Sequence, residues 1–527
     1  MYDTTLRDGN QSVGVNFTAA QKLRVTRAFT NAGVDYIEGG WPNDTNPTDI
    51  EFFKLAKSLD RDTMQRVVPF GMTRRANTRP TNDKNLQHLL KAETKTVTIF
   101  GKSWPLQVEK VLKTTLDENR RMIADSVDYL RSHGRKVIYD AEHFFDGYKA
   151  NRDYAISTLA AAKNSGASTL VLCDTRGGSY PSEVYEITRA VVEKFDVRIG
   201  IHAHNDRGMA TANSLFATMA GASHVQGTMN GLGERVGNAD LIEVVANLNL
   251  MGKKTRLEPS KLTSLSGFTY EMSGVRENKY KPFVGKHAFS HKGGVHGDAV
   301  LKAQETYEFF DPEAFGNVRA ITVSSQAGRS SLLAAARKFG FRLVRKDSRL
   351  SDLLKEVKRL EALGSNLEFA EATVELVFLR ALTGKPDPFR IIYWDAAVQN
   401  NGGDSLSHCR LAVDVSGKVL ETTAVGNGPV NAFDQGLRVV LREKFGSKFS
   451  ARLVGYRVRE IDSEAGTAAR IAVYVDFSDD HRNWTTVVSS TNIIEASVGA
   501  LVDGYNYALR TVQRSSKRRS RNNNHTR

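Results

Sequence analysis

"DTTLRDGNQSVGVNFTAAQKLRVTRAFTNAG" (residues 3–33) contains one complete unit of a repeating plan. A β-like run, Asp3–Leu6, leads at once into Arg7, Asp8 and Gly9. Thr18 and Gln21 then have the spacing of a capping box that opens a helix over "KLRVTRAFTNAG", and Gly33 stops it. The same order recurs down the chain. Further β-like runs lie at Tyr36–Gly39, Arg66–Phe70, Thr96–Phe100, Lys136–Asp140, Thr169–Cys173, Ile199–His202 and His224–Gly227. Amphipathic stretches separate most of them, and one starts at Pro181, a favoured first helical residue. Strand alternating with helix eight times predicts a (β/α)8 barrel over residues 1–260.

A barrel of this kind builds its site from the loops at the C-terminal ends of its strands. The residues at those ends are strongly polar. Arg7, Asp8 and Gln11 follow the first strand, and Glu142 and His143 follow the fifth. Asp174 and Thr175 follow the sixth, and "HAHND" supplies His202, His204, Asn205 and Asp206 after the seventh. "GTMNGLGERVGNAD" after the eighth brings Glu234, Arg235 and Asn238.

Beyond the barrel, residues 261–365 read as a helical connector containing "AFSHKGGVHGDAV" and the amphipathic helix "DLLKEVKRLEAL". Residues 366–512 then turn β-rich. Strands near 389–398, 408–415 and 418–425 precede the helix "VNAFDQGLRVVLREKF", and strands near 452–461, 468–477 and 483–489 precede "NIIEASVGALVDGYNYAL". Two βββα units in tandem predict a separate α+β domain with internal pseudo-symmetry.

The net charge is +14, and residues 514–527 hold six Lys/Arg and no acid. Residues 513–527 are expected to be a solvated, disordered basic tail rather than a nucleic-acid arm. No window approaches the ~20 apolar residues of a membrane span. Cys173 and Cys409 are too few and too far apart for a disulfide framework, which suits a reducing compartment. The expected location is the cytoplasm, with an organelle as the alternative if the N-terminus extends further.

His202 and His204 stand two apart on a strand, so both project to one face. With Asp8 and Asn238 they make two imidazoles, one carboxylate and one amide oxygen. That donor set suits Zn2+ or Mn2+, with Mg2+ also compatible, and such an ion polarises a carbonyl. The planar fork of Arg7 suits a carboxylate. A metal site beside an arginine clamp is suited to a 2-oxo acid, with the Thr175 hydroxyl as a second contact.

"TLRDGNQ", "HAHND" and "GTMNGLGERVGNAD" resemble the signature segments of the metal-dependent Claisen-condensing barrels, the family of 2-isopropylmalate, homocitrate and citramalate synthases. "DYIEGGWP", "DAEHFFDGYK" and "FSHKGGVH" are most similar to its citramalate-forming branch, and the βββα pair with its "GNGPVNA" loop resembles the family's C-terminal regulatory domain. The resemblance implies Asp8, His202, His204 and Asn238 as metal ligands. It implies Arg7 and Thr175 on the 2-oxo acid and Gln11 near the thioester. Arg7, Glu142 and His296 are implied as catalytic, with Glu142 and His296 handling protons and His291 a weaker candidate. His296 would serve the partner subunit, so a homodimer is implied. The implied reaction joins acetyl-CoA, pyruvate and water into (R)-citramalate and CoA, on a route to isoleucine. Isoleucine is the implied effector, placed around Gly426, Gly428 and Ala432. Arg176 stands where a smaller polar residue is expected of this branch, and Val236 where cysteine is common. The nearest alternative is the same chemistry on another 2-oxo acid. A lyase or aldolase of the same superfamily fits less well, because the βββα pair has no place in it. A catalytically dead barrel is disfavoured by the intact ligand set.

Overall fold

Strands rich in Val, Ile and Leu have no polar face to offer water, so a parallel sheet made of them must be covered on both sides. The computed structural model meets that demand with a closed barrel. It describes residues 1–523 apart from 293, 322, 325–327, 401–404 and 480–481. The chain divides into two compact units, one of Met1–Phe289 with Phe310–Arg319, the other of Ser290–Phe309 with the chain from Ala320 onward.

In the first unit, β1 (Tyr2–Asp3), β2 (Tyr36–Gly40), β3 (Val67–Met72), β4 (Thr96–Lys102), β5 (Lys136–Glu142), β6 (Thr169–Asp174), β7 (Arg198–Ala203) and β8 (His224–Gly227) follow one another around the barrel. β1 pairs in parallel with both β2 and β8, which closes it. Tyr2, Val68, Ile138, Val171 and Cys173 cluster in the interior. Phe29, Leu89, Ile123, Phe144 and Leu159 are buried where the helices cover the strands. Burying one such side chain is worth about 1.5–3 kcal/mol. The first helix, Ala19–Ala32, has the expected capping box, with Thr18 accepting from the Gln21 N–H and the Gln21 side chain accepting in return. The Pro181 helix runs over Pro181–Lys194.

β1 is shorter than its sequence suggests. The Asp3 carboxylate accepts from the Thr5 N–H at 3.0 Å and the Thr5 hydroxyl at 2.7 Å. The Thr4 carbonyl takes the N–H groups of Arg7 and Gly9, each at 3.1 Å. Side-chain capture of the backbone ends the ladder early and turns Thr4–Leu6 inward. That turn carries Arg7 and Asp8 onto the barrel's C-terminal rim.

In the second unit, β9 (Ser290–His291) pairs in parallel with β10 (Ala320–Ile321). Helices follow at Arg329–Lys338, Arg349–Ala362 and Glu371–Thr383. β11 (Arg390–Gln399), β12 (Leu406–Val415) and β13 (Lys418–Gly426) form one antiparallel sheet, followed by the helix Pro429–Phe445. β14 (Arg452–Glu460), β15 (Ile471–Ser478) and β16 (Asn483–Ser490) form a second, followed by the helix Ile493–Asn523. These are the two βββα units. β15 starts later than expected because Ser463–Ala468 forms a 3-10 turn. The last helix is continuous with residues 513–523 of the expected basic tail, and 524–527 lie outside the described residues. One face of each sheet is buried under its helix through residues such as Leu411, Val413, Val473 and Val475. Ile392, Val398, Val425, Val454 and Val458 are exposed.

Candidate metal centre and active site

The adjacent cation and anion of the first loop are fixed by different partners. Arg7 donates from Nη1 to Asp8 Oδ2 at 2.9 Å and from Nε to Glu38 Oε1 at 2.5 Å. Its guanidinium carbon lies 3.8 Å from the centre of the Phe70 ring. Glu38, wholly buried on β2, also accepts from the Tyr2 hydroxyl at 2.5 Å. Buried acids of opposite placement therefore hold one arginine flat at the barrel mouth. Glu38 was not singled out from the sequence, although an acid between apolar residues and two glycines in "DYIEGGWP" was a signal that it served something internal.

Asp8 faces the histidines. His202 Nε2 lies 3.6 Å and His204 Nε2 3.9 Å from Asp8 Oδ2. One ligand atom from each of the three falls within 4.8 Å of the others, and all three residues are buried. Asn238 joins through the backbone: a β-bridge links it to His204, and its N–H donates to the Gly231 carbonyl at 3.2 Å. Asn238 Oδ1 and His204 Nδ1 are buried and face no hydrogen-bond donor. Buried polar atoms normally find partners. A carboxylate and two imidazoles converging here fit a divalent cation, and the uncommitted amide oxygen of Asn238, the residue bridged to His204, is a further oxygen donor.

The electrostatics treat the three residues differently. Burial alone would raise Asp8, but the Arg7 guanidinium and the imidazoles hold it well below the usual carboxylate range. Burial, then the neighbouring His202, pushes His204 down to about 3. His202 is raised, because the Asp8 carboxylate outweighs its burial.

The loop after β8 closes the site. Gly233 exchanges two hydrogen bonds with the Ser12 hydroxyl, at 2.7 and 3.0 Å. The Glu234 N–H points to Asp8 Oδ1 at 3.4 Å. Arg235 grips Asp206 at 2.7 and 2.8 Å and the Thr175 carbonyl at 2.9 Å. Gly237 has φ +99°, and a Cβ there would lie 1.9 Å from the Gly231 carbonyl oxygen. Gly237→Ala is therefore expected to cost on the order of 1–3 kcal/mol. A thermal melt checks this; an unchanged Tm would mean that the loop is not held as described.

Glu142 ends β5 beside Lys102 of β4, and the two form an ion pair. Lys102 was not foreseen, because a lysine ending a strand looks the same in sequence whether it meets solvent or a carboxylate at the barrel rim. The Thr175 hydroxyl accepts from the His143 N–H at 2.8 Å and keeps its own proton to donate. Gln11 is exposed on the turn Gly9–Gln11. Arg176 leans away toward Asp146 at 3.5 Å and Trp104, and Val236 is exposed. His291 and His296 belong to the second unit. There, His291 pairs with Glu308 at 2.8 Å, and exposed His296 stacks on Tyr307 with ring centres 4.4 Å apart.

In the second unit, Gly426 ends β13, and Gly428 precedes the helix Pro429–Phe445. A Cβ on Gly426 would meet the Ala432 backbone nitrogen at 2.5 Å, whereas one on Gly428 would meet nothing within 4 Å.

A closed eight-stranded barrel with this Asp–His–His cluster at its rim defines an HMGL-like protein, and residues 1–268 match that family. Residues 283–365 match the homocitrate synthase post-HMGL domain-like family, and residues 368–509 the LeuA allosteric (dimerisation) domain. The chain belongs to the family of the (R)-citramalate synthases: it is 45% identical to the one from Aquifex aeolicus over 97% of both chains. It is 43% identical to that of Sulfolobus acidocaldarius over 97% of this chain and 96% of the other. A probable 2-isopropylmalate synthase of Archaeoglobus fulgidus is more distant, at 30% identity over 98% of each.

Proposed function

We propose that this chain condenses acetyl-CoA with pyruvate and water to give (R)-citramalate and free CoA. The convergence of Asp8, His202 and His204 beside the fixed guanidinium of Arg7 is the observation that carries this reading, with Asn238 as the fourth ligand of the proposal. A bound divalent cation supplies Lewis acidity toward a substrate carbonyl. Zn2+ and Mn2+ suit these ligands best.

The chain's own groups do the rest. Arg7, immobilised by Glu38 and Phe70, presents its remaining N–H groups to the pyruvate carboxylate. Thr175 donates its hydroxyl proton to the same substrate. Gln11, on the exposed turn, reaches toward the thioester. Glu142 and the partner subunit's copy of the connector histidine, His296, carry protons. One takes a proton from the acetyl methyl group; that carbon bonds to the keto carbon of pyruvate as the C=O π pair moves onto the keto oxygen, which takes a proton from the other to become the product hydroxyl. Water then cleaves the thioester, releasing the CoA thiol. A methyl group next to a thioester is a very weak acid, so positioned proton transfer must supply much of the rate.

A dimer follows from this assignment, and the match to a dimerisation domain supports it. Among the described residues, no helix is long and apolar enough to cross a membrane. The cytoplasm is the proposed location. Metal dependence is the direct test. A chelator is expected to abolish thiol release from acetyl-CoA and pyruvate, and added Mn2+ or Zn2+ to restore it. Full turnover by metal-stripped protein would contradict the reading.

Regulation is the finer part of the proposal. Isoleucine inhibits through residues Gly426–Ala432, where N–H groups at a helix start suit a carboxylate. Gly428→Asp adds a like charge where no neighbouring atom obstructs it. The variant is expected to keep its turnover and lose isoleucine inhibition. A variant as sensitive as the parent would place the effector elsewhere. Inhibition of the parent by leucine but not isoleucine would move the substrate toward a larger 2-oxo acid.

A further inference from the structure

Gln226 sits on β8 inside the barrel, with none of its surface exposed. The two ends of its amide differ in character, one accepting and one donating. Oε1 lies 2.9 Å from His202 Nδ1, and Nε2 donates to Asp140 Oδ1 at 3.0 Å. Asp140, on β5, is also buried. Burial raises its carboxyl to about 7, and Oδ1 still accepts from an amide when the proton sits on Oδ2. The amide is therefore oriented from the Asp140 side, with its oxygen turned to His202. An oxygen at 2.9 Å from Nδ1 requires the imidazole proton to be on Nδ1. In the neutral ring, the form that binds a cation, the lone pair is then on Nε2, the atom 3.6 Å from Asp8 Oδ2. His204 has no such orienter, since its Nδ1 is buried without a hydrogen-bond partner.

We propose that Asp140 and Gln226 form a positioning relay that fixes the tautomer of His202 and aims its Nε2 at the cation site, so that this relay across the barrel interior, and not the ligands alone, sets the metal affinity. Groups that hold a ligating histidine by its other nitrogen commonly act in this way. The inference rests on the reading that Asp8, His202 and His204 hold a cation.

Affinity for Zn2+ and Mn2+, measured on the full chain by competition with a chromophoric chelator, tests it. Gln226→Leu keeps the volume and removes both polar ends. Its affinity is expected to fall about 10- to 100-fold. Gln226→Glu keeps an acceptor facing Nδ1 and is expected to recover most of that loss. If Gln226→Leu does not fold, Gln226→Asn, which withdraws the amide by one methylene, is expected to weaken binding in the same direction. A folded Gln226→Leu or Gln226→Asn that binds both metals as tightly as the parent overturns the relay while leaving the metal site standing. A parent that binds neither metal overturns the relay together with the reading beneath it.

Discussion

Asp8→Ala and His204→Ala are each expected to lower kcat/KM for the condensation by about 10³-fold or more. A Lewis-acidic cation is worth several kcal/mol to a reacting carbonyl, and each 1.36 kcal/mol is tenfold in rate. Asp8 is the only carboxylate in the described metal cluster, and both imidazoles turn their Nε2 toward it. Removing it leaves two histidines and an amide, a set without charge to offset that of a dication. Removing His204 leaves the carboxylate but opens the cluster on the Asn238 side, where the two residues share a bridge. Elemental analysis after dialysis is expected to find less than stoichiometric metal in both variants, with far-UV circular dichroism like the parent's. A variant with full metal content and parental turnover would remove its residue from the ligand set.

His296→Ala is the second large effect. Loss of a positioned acid or base costs about 10²- to 10⁴-fold. The loss is expected in kcat, with the KM for pyruvate changing far less, because the proposal gives that substrate to Arg7 and Thr175 rather than to His296. Glu142→Gln is expected to behave in the same way. It keeps the shape of the side chain and abolishes both its basicity and its ion pair with Lys102. Steady-state kinetics over a range of pyruvate concentrations separates the two parameters. If His296→Ala raises KM and leaves kcat alone, the histidine is a substrate contact and protons travel by another group.

The grouping of Asp8, His202 and His204 was legible because its signals are local. A period of two puts His202 and His204 on one face, and Asp8 follows a β-like run that a barrel must end at its rim. The βββα pair was legible from composition and order. What the sequence hid were polar residues pointing into the barrel. Glu38, Asp140 and Gln226 lie inside strands, where alternation looks the same whether the polar side faces water or a sealed interior. Their partners are far away in sequence: Gln226 bonds Asp140 across 86 positions, and Arg7 meets Glu38 across 31. The short β1 was hidden for a different reason. Asp3 and Thr5 have a plausible strand pattern, but their side chains compete for the backbone and win.

The central claim is that the site joins an acetyl group to pyruvate in particular. The chain, loaded with Mn2+ or Zn2+, is given acetyl-CoA with pyruvate, 2-oxobutanoate, 2-oxoisovalerate or 2-oxoglutarate in separate reactions. Free thiol is followed, and the organic product is identified by mass and by comparison with authentic (R)-citramalate. Pyruvate is expected to give the highest kcat/KM and (R)-citramalate as product. Preferential turnover of 2-oxoisovalerate or 2-oxoglutarate, or no thiol release with any of the four by metal-loaded protein, would contradict the account.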